Sequence, residues 1–117
     1  MTKTTIIIGG KFKGHKIKLV PSPHTKATSS LVKEALFNTL GASVQNKIFL
    51  DLFAGNGSYG FEALSRDAKQ AYFVDASLKS FQTLKKNHQK IKTGFRTKHY
   101  FLWSFYSSFK KIPKKPT

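Results

Sequence analysis

The chain has 117 residues, which predicts a single domain with a modest core. Hydrophobic residues make up 39% of the sequence, a globular rather than a disordered composition. Cysteine is absent, which excludes disulfides, thiolate metal sites and cysteine nucleophiles. No apolar run approaches the roughly 20 residues of a membrane span, and the first apolar run is too short for a signal peptide. We therefore expect a cytoplasmic protein.

Charge is the strongest bulk feature. Lysine and arginine number 21 against five acidic residues, a formal net charge of +16. The excess positive charges repel one another in a compact chain unless a polyanion screens them, so nucleic acid is the predicted partner. Its binding should weaken as the salt concentration rises. The alternative is a lysine-rich composition without a specific partner, because only Arg66 and Arg96 are arginines. The four histidines are scattered without the spacing of metal ligands, so we predict no metal site.

Two short strands are predicted near the N-terminus, over residues 4–8 and 15–20. Gly9, Gly10 and Gly14 separate them and allow tight turns, as expected for a β-hairpin. We assign residues 1–24 to this basic hairpin, as a small projecting extension, and residues 25–117 to the remaining unit. The hairpin presents four predicted contacts to nucleic-acid phosphates, Lys11, Lys13, Lys16 and Lys18. The alternative is that these lysines are only solvated surface.

Helical periodicity begins after Ser30, which can cap a helix. The spacing places a set of apolar residues on one face, predicted to pack on the core: Leu31, Val32, Ala35, Leu36 and Leu40. Gly41 follows, where a helix is expected to end.

Strands and helices then alternate. We predict strand 48–53, helix 58–65, strand 71–75, a helix striped by Leu78, Phe81, Leu84 and Ile91, strand 95–102, and a last short helix carrying Phe105, Phe109 and Ile112. The nearly continuous apolar run of strand 48–53 predicts burial on both faces. This alternation is typical of an α/β fold with a parallel sheet and right-handed crossovers. Three strands make only the first half of a doubly wound sheet, which leaves one flank of its first strand unpaired.

The segment D-L-F-A-G-N-G-S-Y-G, residues 51–60, carries the chemistry. It contains G-x-G-x-x-G after a predicted strand and at the start of a helix, with glycines at 55, 57 and 60. Glycines there permit a tight turn and close approach of the backbone to a ligand. The alternative is a strand-to-helix turn that binds nothing.

Asp51 and Asp75 end successive predicted strands, at the edge where open α/β sheets place their ligands. The pyrophosphate of a dinucleotide would be repelled by Asp51, whereas the ammonium and sulfonium of S-adenosylmethionine would be attracted. Asp75 lies where a ribose hydroxyl pair is gripped. The alternatives are that Asp51 caps a helix or is solvated, and that Asp75 caps the helix beginning near Ser77.

Three segments resemble the bacterial 16S ribosomal RNA guanine-N2-methyltransferases. I-I-G-G-K-F-K-G-H-K-I (7–17) is similar to their opening hairpin, V-K-E-A-L-F-N (32–38) to a helix, and residues 51–60 with E-A-L-S-R (62–66) to the family's D-x-F-A-G-S-G-x-x-G-L-E-A-L-S-R. The resemblance departs at residues 26–32, where the family has R-P-T-T-D-R-V. It also departs at Phe101, where the family often has a polar residue near the adenine.

The resemblance implies a Rossmann-like S-adenosylmethionine methyltransferase fold, with ribosomal RNA or the small ribosomal subunit as partner and a guanine exocyclic amine as methyl acceptor. The cofactor-binding residues expected from motif and resemblance are Asp51, Phe53, Ala54, Gly55, Asn56, Gly57, Gly60 and Asp75. The family's Asp-Pro-Pro-Tyr/Phe motif is expected beyond residue 117, so we predict no catalytic residue in this chain and no activity of the chain alone. The alternatives are a basic RNA-binding module, a nicotinamide-dependent oxidoreductase, and a truncated product without function.

Overall fold

The structure is a computed structural model that describes residues 3–21, 30–52, 55–75 and 77–91, together with the backbone of residues 102–103. Its elements are, in chain order, β1 (Thr4–Ile6), β2 (Lys16–Lys18), α1 (Ser30–Leu40), a 3₁₀ helix (Gly41–Val44), β3 (Ile48–Leu52), α2 (Ser58–Ser65), β4 (Gln70–Val74), α3 (Leu78–Ile91) and β5 (Leu102–Trp103). The order is a hairpin and a helix followed by alternating strands and helices, as the sequence predicts.

A parallel sheet with strand order β3-β4-β5 forms the centre of the fold. β3 and β4 pair over five residues, with Asp51 opposite Phe73 and Leu52 opposite Val74. α2 makes the crossover between these two strands, which brings both of their carboxyl ends to one edge of the sheet. Helix α2 begins and ends at the predicted residues. The predicted last helix, and residues 95–101 of the predicted third strand, lie outside the described residues.

The hairpin packs against the rest of the molecule and does not project from it. β1 and β2 are antiparallel, with Thr5 opposite Ile17. Because side chains alternate along a strand, Ile17 points inward while Lys16 and Lys18 are exposed. Ile17 and Ile7 are fully buried in one cluster with residues of α2, β4 and α3, namely Phe61, Leu64, Ala71, Phe73, Leu84 and Ile91. Hairpin and sheet therefore share one hydrophobic core.

The predicted apolar face of α1 is wrong except at Leu40, which packs, partly buried, against the cluster that contains Phe37. Its buried residues are Lys33 and Phe37, one helical turn apart, whereas Leu31 is 79% exposed and Val32 and Leu36 are also exposed. Phe37 stacks on Phe49 of β3, with ring centroids 5.9 Å apart. Two contacts orient the helix more strongly than its aliphatic residues do. They are the packing of Phe37 on Phe49 and the bonds of Lys33 to its buried partners, described below.

Burial of β3 on both faces is also wrong. Ile48, Leu50 and Leu52 are 51%, 57% and 43% exposed, while Phe49 is partly buried against both hydrophobic clusters. By contrast β4, which lies between two strands, is buried at every position. In the part of the chain that the structure describes, no helix combines the length and apolar character needed to cross a membrane.

Candidate functional site

The glycine-rich loop joins β3 to α2. Gly55 has φ of 56° and Gly57 has φ of 84°, and Gly57 directly precedes the first turn of α2. Both lie in the left-handed region that favours glycine, so the chain makes the tight turn that the motif predicts. Two of the predicted cofactor-binding residues, Phe53 and Ala54, lie outside the described residues.

Packing within the protein explains the second and third glycines of the motif. A β-carbon at Gly57 would overlap side-chain atoms of Leu84 and Phe61. One at Gly60 would overlap the ring of Phe73 on β4, which is the close helix–strand contact expected of the third glycine. Loss of ligand binding in a variant such as Gly57→Val would therefore report disturbed packing as well as a blocked approach to the backbone.

Asp51 lies near the end of β3 and is largely removed from water. Burial raises the pKa of its carboxyl group to about 6, and the nearby Asp75 adds to the shift. The Gly60 N–H donates to Asp51 Oδ2 at 3.2 Å and opposes that shift. Asp51 thus accepts from the first turn of α2, which fits the helix-capping alternative, and it is not a solvated acid. Its ionised form nevertheless lacks full compensation, so a cationic group beside it would be stabilised.

Asp75 follows β4 and links the strand end to the glycine loop. Its Oδ2 accepts from the Gly55 N–H and its Oδ1 from the Ser77 N–H, both at 2.8 Å. Each carboxylate oxygen has a second lone pair, so both can accept a further hydrogen bond. The capping of α3 falls to Ser77, whose Oγ accepts from the Ser80 N–H at 3.3 Å. Asp75 is therefore not the N-cap that the alternative interpretation required.

Asn56 lies between the two loop glycines, where two of its oxygen atoms accept hydrogen bonds and its side-chain N–H group has no described partner. Its Oδ1 accepts from the Ser58 N–H at 3.1 Å, and its backbone carbonyl accepts from Asn87 Nδ2 at 2.9 Å. Its own Nδ2 is buried and has no hydrogen-bond partner among the described residues. A buried donor without an acceptor is costly, and a bound group with an acceptor oxygen would relieve that cost.

The predicted RNA-contacting lysines are all exposed, but they are not equivalent. Lys11 Nζ lies 3.4 Å from Asp67 Oδ1, so part of its charge is paired. Lys16 and Lys18 lie on the outer face of β2, two residues apart, with Ile6 and Thr4 as their cross-strand neighbours. Lys13 lies in the turn region between the strands. The exposed face of β2 therefore presents two lysines, Lys16 and Lys18, next to each other.

A buried polar junction holds the hairpin on α2, and sequence reasoning missed it. Glu62 is fully buried, and its two carboxylate oxygens accept from the backbone N–H groups of Ile8 and Gly9 at 2.8 and 2.9 Å. Lys33, 2% exposed, lies 3.6 Å from Glu62 and donates to Ser58 Oγ at 2.7 Å. Arg66 donates to Glu62 at 2.8 Å. Burial lowers the pKa of Lys33, and Glu62 opposes that change.

A second missed residue, Asn87, joins the hairpin to the loop. Its Oδ1 accepts from the Lys18 N–H at 2.8 Å, and its Nδ2 donates to the Lys18 carbonyl at 3.0 Å as well as to Asn56. The sequence holds little signal for such a role, because Asn87 is 69 residues from Lys18 and 31 from Asn56. Within the described ranges, no cluster of three or more histidine, cysteine or acidic residues could hold a metal ion.

Comparison with known proteins places this architecture in a family. The family described as Conserved hypothetical protein 95 matches residues 5–116. The chain belongs to that family. Its match covers the hairpin, the glycine loop and both strand-end aspartates, so the features built up above all lie within one family unit.

Named relatives and solved structures agree with this assignment. The chain is 43% identical over 86 residues to ribosomal RNA small subunit methyltransferase D of Haemophilus influenzae, covering 74% of this chain and 45% of that protein. It is 40% identical over 88 residues to the protein of that name in Escherichia coli K12, covering 75% and 44%. A solved structure of a proposed Escherichia coli methyltransferase superposes with a TM-score of 0.74 at 33% identity, covering 87% of this chain and 52% of that one.

The fold class predicted from the sequence is therefore confirmed as that of methyltransferases, with an N-terminal antiparallel hairpin and a small parallel sheet. The predicted resemblance to ribosomal RNA methyltransferases is confirmed as well. The chain spans about half the length of the curated relatives that it matches, since 49% and 45% of the first two are covered.

Proposed function

We propose that this chain forms the methyl-donor-binding half of an S-adenosylmethionine-dependent methyltransferase that acts on ribosomal RNA in the cytoplasm. The observation that carries the proposal is the presence of Asp51 and Asp75 at one edge of the sheet, where Asp75 bonds Gly55 of the glycine loop and Asp51 bonds Gly60 in the first turn of α2. Relatives named as small-subunit ribosomal RNA methyltransferases support the reaction class.

The chemistry of the described residues fits this cofactor group by group. S-adenosylmethionine carries an ammonium, a sulfonium, a carboxylate and two ribose hydroxyls. Asp51, a buried carboxyl group with a raised pKa, would be stabilised as a carboxylate by the cationic groups. The unpartnered Nδ2 of Asn56 would find its acceptor in the cofactor carboxylate. Asp75 keeps lone pairs for the hydroxyls after bonding Gly55 and Ser77.

The same arrangement disfavours a dinucleotide. A pyrophosphate at this loop would bring negative charge beside Asp51, which is already costly to ionise because of burial and the neighbouring Asp75. Repulsion in a poorly solvated site is stronger than in water. We therefore do not favour a nicotinamide-dependent oxidoreductase.

The contribution of this chain to catalysis would be positioning. The bound cofactor supplies an electrophilic methyl group. The loop and the two aspartates would hold the donor in one orientation, and correct placement of two reactants can supply about 7–11 kcal/mol of a barrier. We place no residue of this chain on the methyl acceptor.

The proposed acceptor is the exocyclic N2 amine of a guanine in 16S ribosomal RNA, on the strength of the family resemblance. The exposed hairpin lysines, Lys13, Lys16 and Lys18, would bind the RNA backbone. Contacts to phosphates fix the position of an RNA without reading its sequence. The choice of guanine would accordingly depend on residues other than these lysines.

Isothermal titration calorimetry with S-adenosylhomocysteine and with NAD tests the proposal. We expect the wild-type chain to bind S-adenosylhomocysteine and not NAD. Asp75→Ala should weaken binding by about 1–3 kcal/mol, because the two carboxylate oxygens that would accept from the ribose hydroxyls are lost. Asp67→Asn, which alters an exposed aspartate in the turn after α2, is the matched control and should leave the affinity unchanged. Binding of NAD alone would contradict the proposal, as would RNA binding without any affinity for S-adenosylhomocysteine.

A further inference from the structure

Asn87 contacts both of the segments to which the proposed function assigns ligands. It lies on α3 with 2% of its surface exposed. One face of its amide pairs with the backbone N–H and carbonyl of Lys18 in β2, and its remaining N–H reaches the carbonyl of Asn56 in the glycine loop. One side chain thus bonds the strand that carries two exposed lysines and the loop between the two aspartates.

We propose that Asn87 is a positioning residue that holds the glycine loop and the basic hairpin in one fixed arrangement, so that methyl-donor binding at the loop and RNA binding at the hairpin strengthen each other. The inference rests on the proposed function for the identity of the two ligands. Its structural part, the fixing of loop and hairpin by one amide, stands independently of them.

The three bonds of Asn87 leave little room for substitution. Both amide hydrogens and the carbonyl oxygen are used, which is most of what an asparagine side chain can offer. Because the site is buried, water would not readily replace them. Removing the amide would leave the Lys18 N–H, the Lys18 carbonyl and the Asn56 carbonyl without these partners. The direct link between the loop and β2 would then be lost, while Glu62 and the shared core would still hold the hairpin on α2.

The other described contacts of the loop are made to Asp75 after β4, to α2 and to Leu84 of α3. Gly55 and Gly57, on either side of Asn56, lie in a region of backbone space open mainly to glycine. Gly55 is held by Asp75, and Asn56 bonds Ser58 within its own turn. Among the described residues, Asn87 bonds the loop directly to β2, while Lys33 links the Ile6 carbonyl of β1 to Ser58, the first residue of α2. A ligand that orders Asn56 would therefore also order Asn87 and, through it, the backbone of Lys18.

Ordering shared between two sites produces positive cooperativity. The first ligand restricts the loop–Asn87–hairpin unit, and the second then loses less conformational entropy on binding. Coupling of this kind is reciprocal, so donor binding must tighten RNA binding by the factor by which RNA tightens donor binding.

The test measures the dissociation constant of labelled 16S ribosomal RNA transcript with and without saturating S-adenosylhomocysteine. We expect at least about fivefold tighter RNA binding with the ligand in the wild-type chain, a value typical of coupled sites. We call the dissociation constant without the ligand, divided by that with the ligand, the coupling ratio. For Asn87→Ala this ratio should lie within twofold of one. Thr83→Ala is the matched control, since Thr83 is a buried polar residue one turn earlier on α3, and it should keep the wild-type ratio. A wild-type ratio of one, or an Asn87→Ala ratio equal to that of wild type, would overturn the inference.

Amide hydrogen exchange separates this inference from the proposed function. Without any ligand, Asn87→Ala should speed exchange both at the Lys18 N–H, which bonds Asn87, and at the Ser58 N–H, which bonds Asn56, and Thr83→Ala should change neither. Failure of the wild-type chain to bind S-adenosylhomocysteine would defeat the proposed function and the ligand coupling, while this exchange pattern would still report on the fixing of loop and hairpin. Unchanged exchange at Ser58 in Asn87→Ala would overturn the fixing of loop and hairpin. If Asn87→Ala does not fold, NMR titration of the wild-type chain decides: S-adenosylhomocysteine must shift the Lys18 amide and the Asn87 side-chain amide.

Discussion

The two faces of β3 differ in how far other elements cover them and in whether they carry polar contacts. On the inner face, Phe49 packs with α1, and Asp51 accepts a hydrogen bond from α2. On the outer face, Ile48, Leu50 and Leu52 stand about half exposed. By sequence the outer face, with three aliphatic residues, is more apolar than the inner face, which carries Asp51, so composition does not determine which face is covered. Covering is decided by the elements that pack there, and the described ones pack on the inner face.

The inner side is also where the polar chemistry is concentrated. Glu62, Lys33 and Asn87 are buried there, and each forms bonds to more than one segment of the chain. A buried polar group without a hydrogen-bond partner destabilises the fold, so each polar side chain on the inner side of the sheet needs a specific partner in the protein. The outer face of β3 makes no such demand. We therefore expect substitutions on the two sides to differ sharply in their effects.

The largest expected effect is at the buried junction. Glu62→Ala should lower the free energy of unfolding by about 3–5 kcal/mol, because it leaves the buried Lys33 ammonium without its carboxylate. It also removes the acceptor of the Ile8 and Gly9 N–H groups. Urea unfolding followed by circular dichroism measures the change. Glu34→Ala, which removes an exposed glutamate of α1, should stay within about 0.5 kcal/mol of wild type. Equal effects of the two substitutions would show that the junction contributes nothing special.

The next effect compares two apolar residues on opposite sides of the sheet. Phe73→Ala removes a fully buried ring from the core and should cost about 3–5 kcal/mol. Leu50→Ala, on the outer face of β3, should cost less than about 1 kcal/mol, because more than half of that side chain is already in water. Chemical denaturation of both variants at one pH gives the comparison. A Leu50→Ala cost as large as that of Phe73→Ala would mean that the outer face is covered in solution.

Local patterns were enough to predict the elements but not their surroundings. The helix over residues 58–65 and the neighbouring strands were predicted to within a residue or two, because turn glycines and apolar runs are local signals. The orientation of α1 was not predicted correctly, because it depends on the ion pair between Glu62 and Lys33, which lies 29 residues earlier in the chain. An apolar stripe of Leu31, Val32 and Leu36 satisfies helical periodicity equally well, and nothing local reveals that Lys33 and Phe37 turn inward.

The site shows the same division. The glycine loop and the two strand-end aspartates were found from spacing, because strand ends and turn glycines have fixed positions in an α/β unit. Asn87 was not found, and neither was the Asn56 side-chain N–H group that has no partner among the described residues, since their importance comes from contacts between segments distant in sequence. The backbone roles of Gly57 and Gly60 were predicted as approach to a ligand, whereas the structure adds packing on Leu84 and Phe73.

The pH dependence of stability should distinguish Asp51 from an ordinary surface acid. Its pKa of about 6 in the folded chain exceeds its value of 3.8 in the unfolded chain. The folded state therefore holds the extra proton between those values, and stability falls as pH rises from about 4 to about 6, then stays level. Asp51→Asn should remove this loss and exceed wild type by up to about 3 kcal/mol above pH 6.

Urea unfolding of wild type and Asp51→Asn at pH 4, 5, 6 and 7 measures that difference. Asp67→Asn, at an exposed position, is the control and should run parallel to wild type. The same Asp51→Asn substitution should weaken binding of S-adenosylmethionine, because the carboxylate that attracts its cationic groups is gone. A gain in stability with a loss of affinity is the combination expected of a site residue, and a stability difference that does not change with pH would contradict the buried-acid interpretation.

The smallest expected effect is on RNA binding by the hairpin. Side chains of β2 also alternate between a buried and an exposed face. Ile17 points into the core, and its neighbours Lys16 and Lys18 point to solvent, where RNA could reach them. Replacing both lysines by glutamine should flatten the slope of log affinity for 16S ribosomal RNA against log salt by about 1.5, since each phosphate contact contributes roughly 0.7–0.9. The Lys11→Gln change should flatten it by less than about 0.7, because Asp67 already offsets part of that charge. Fluorescence anisotropy across a salt series gives the slopes. A slope unchanged by the double substitution would show that the outer face of β2 is solvated surface, and an equal effect of Lys11 would show that its pairing with Asp67 does not persist against RNA.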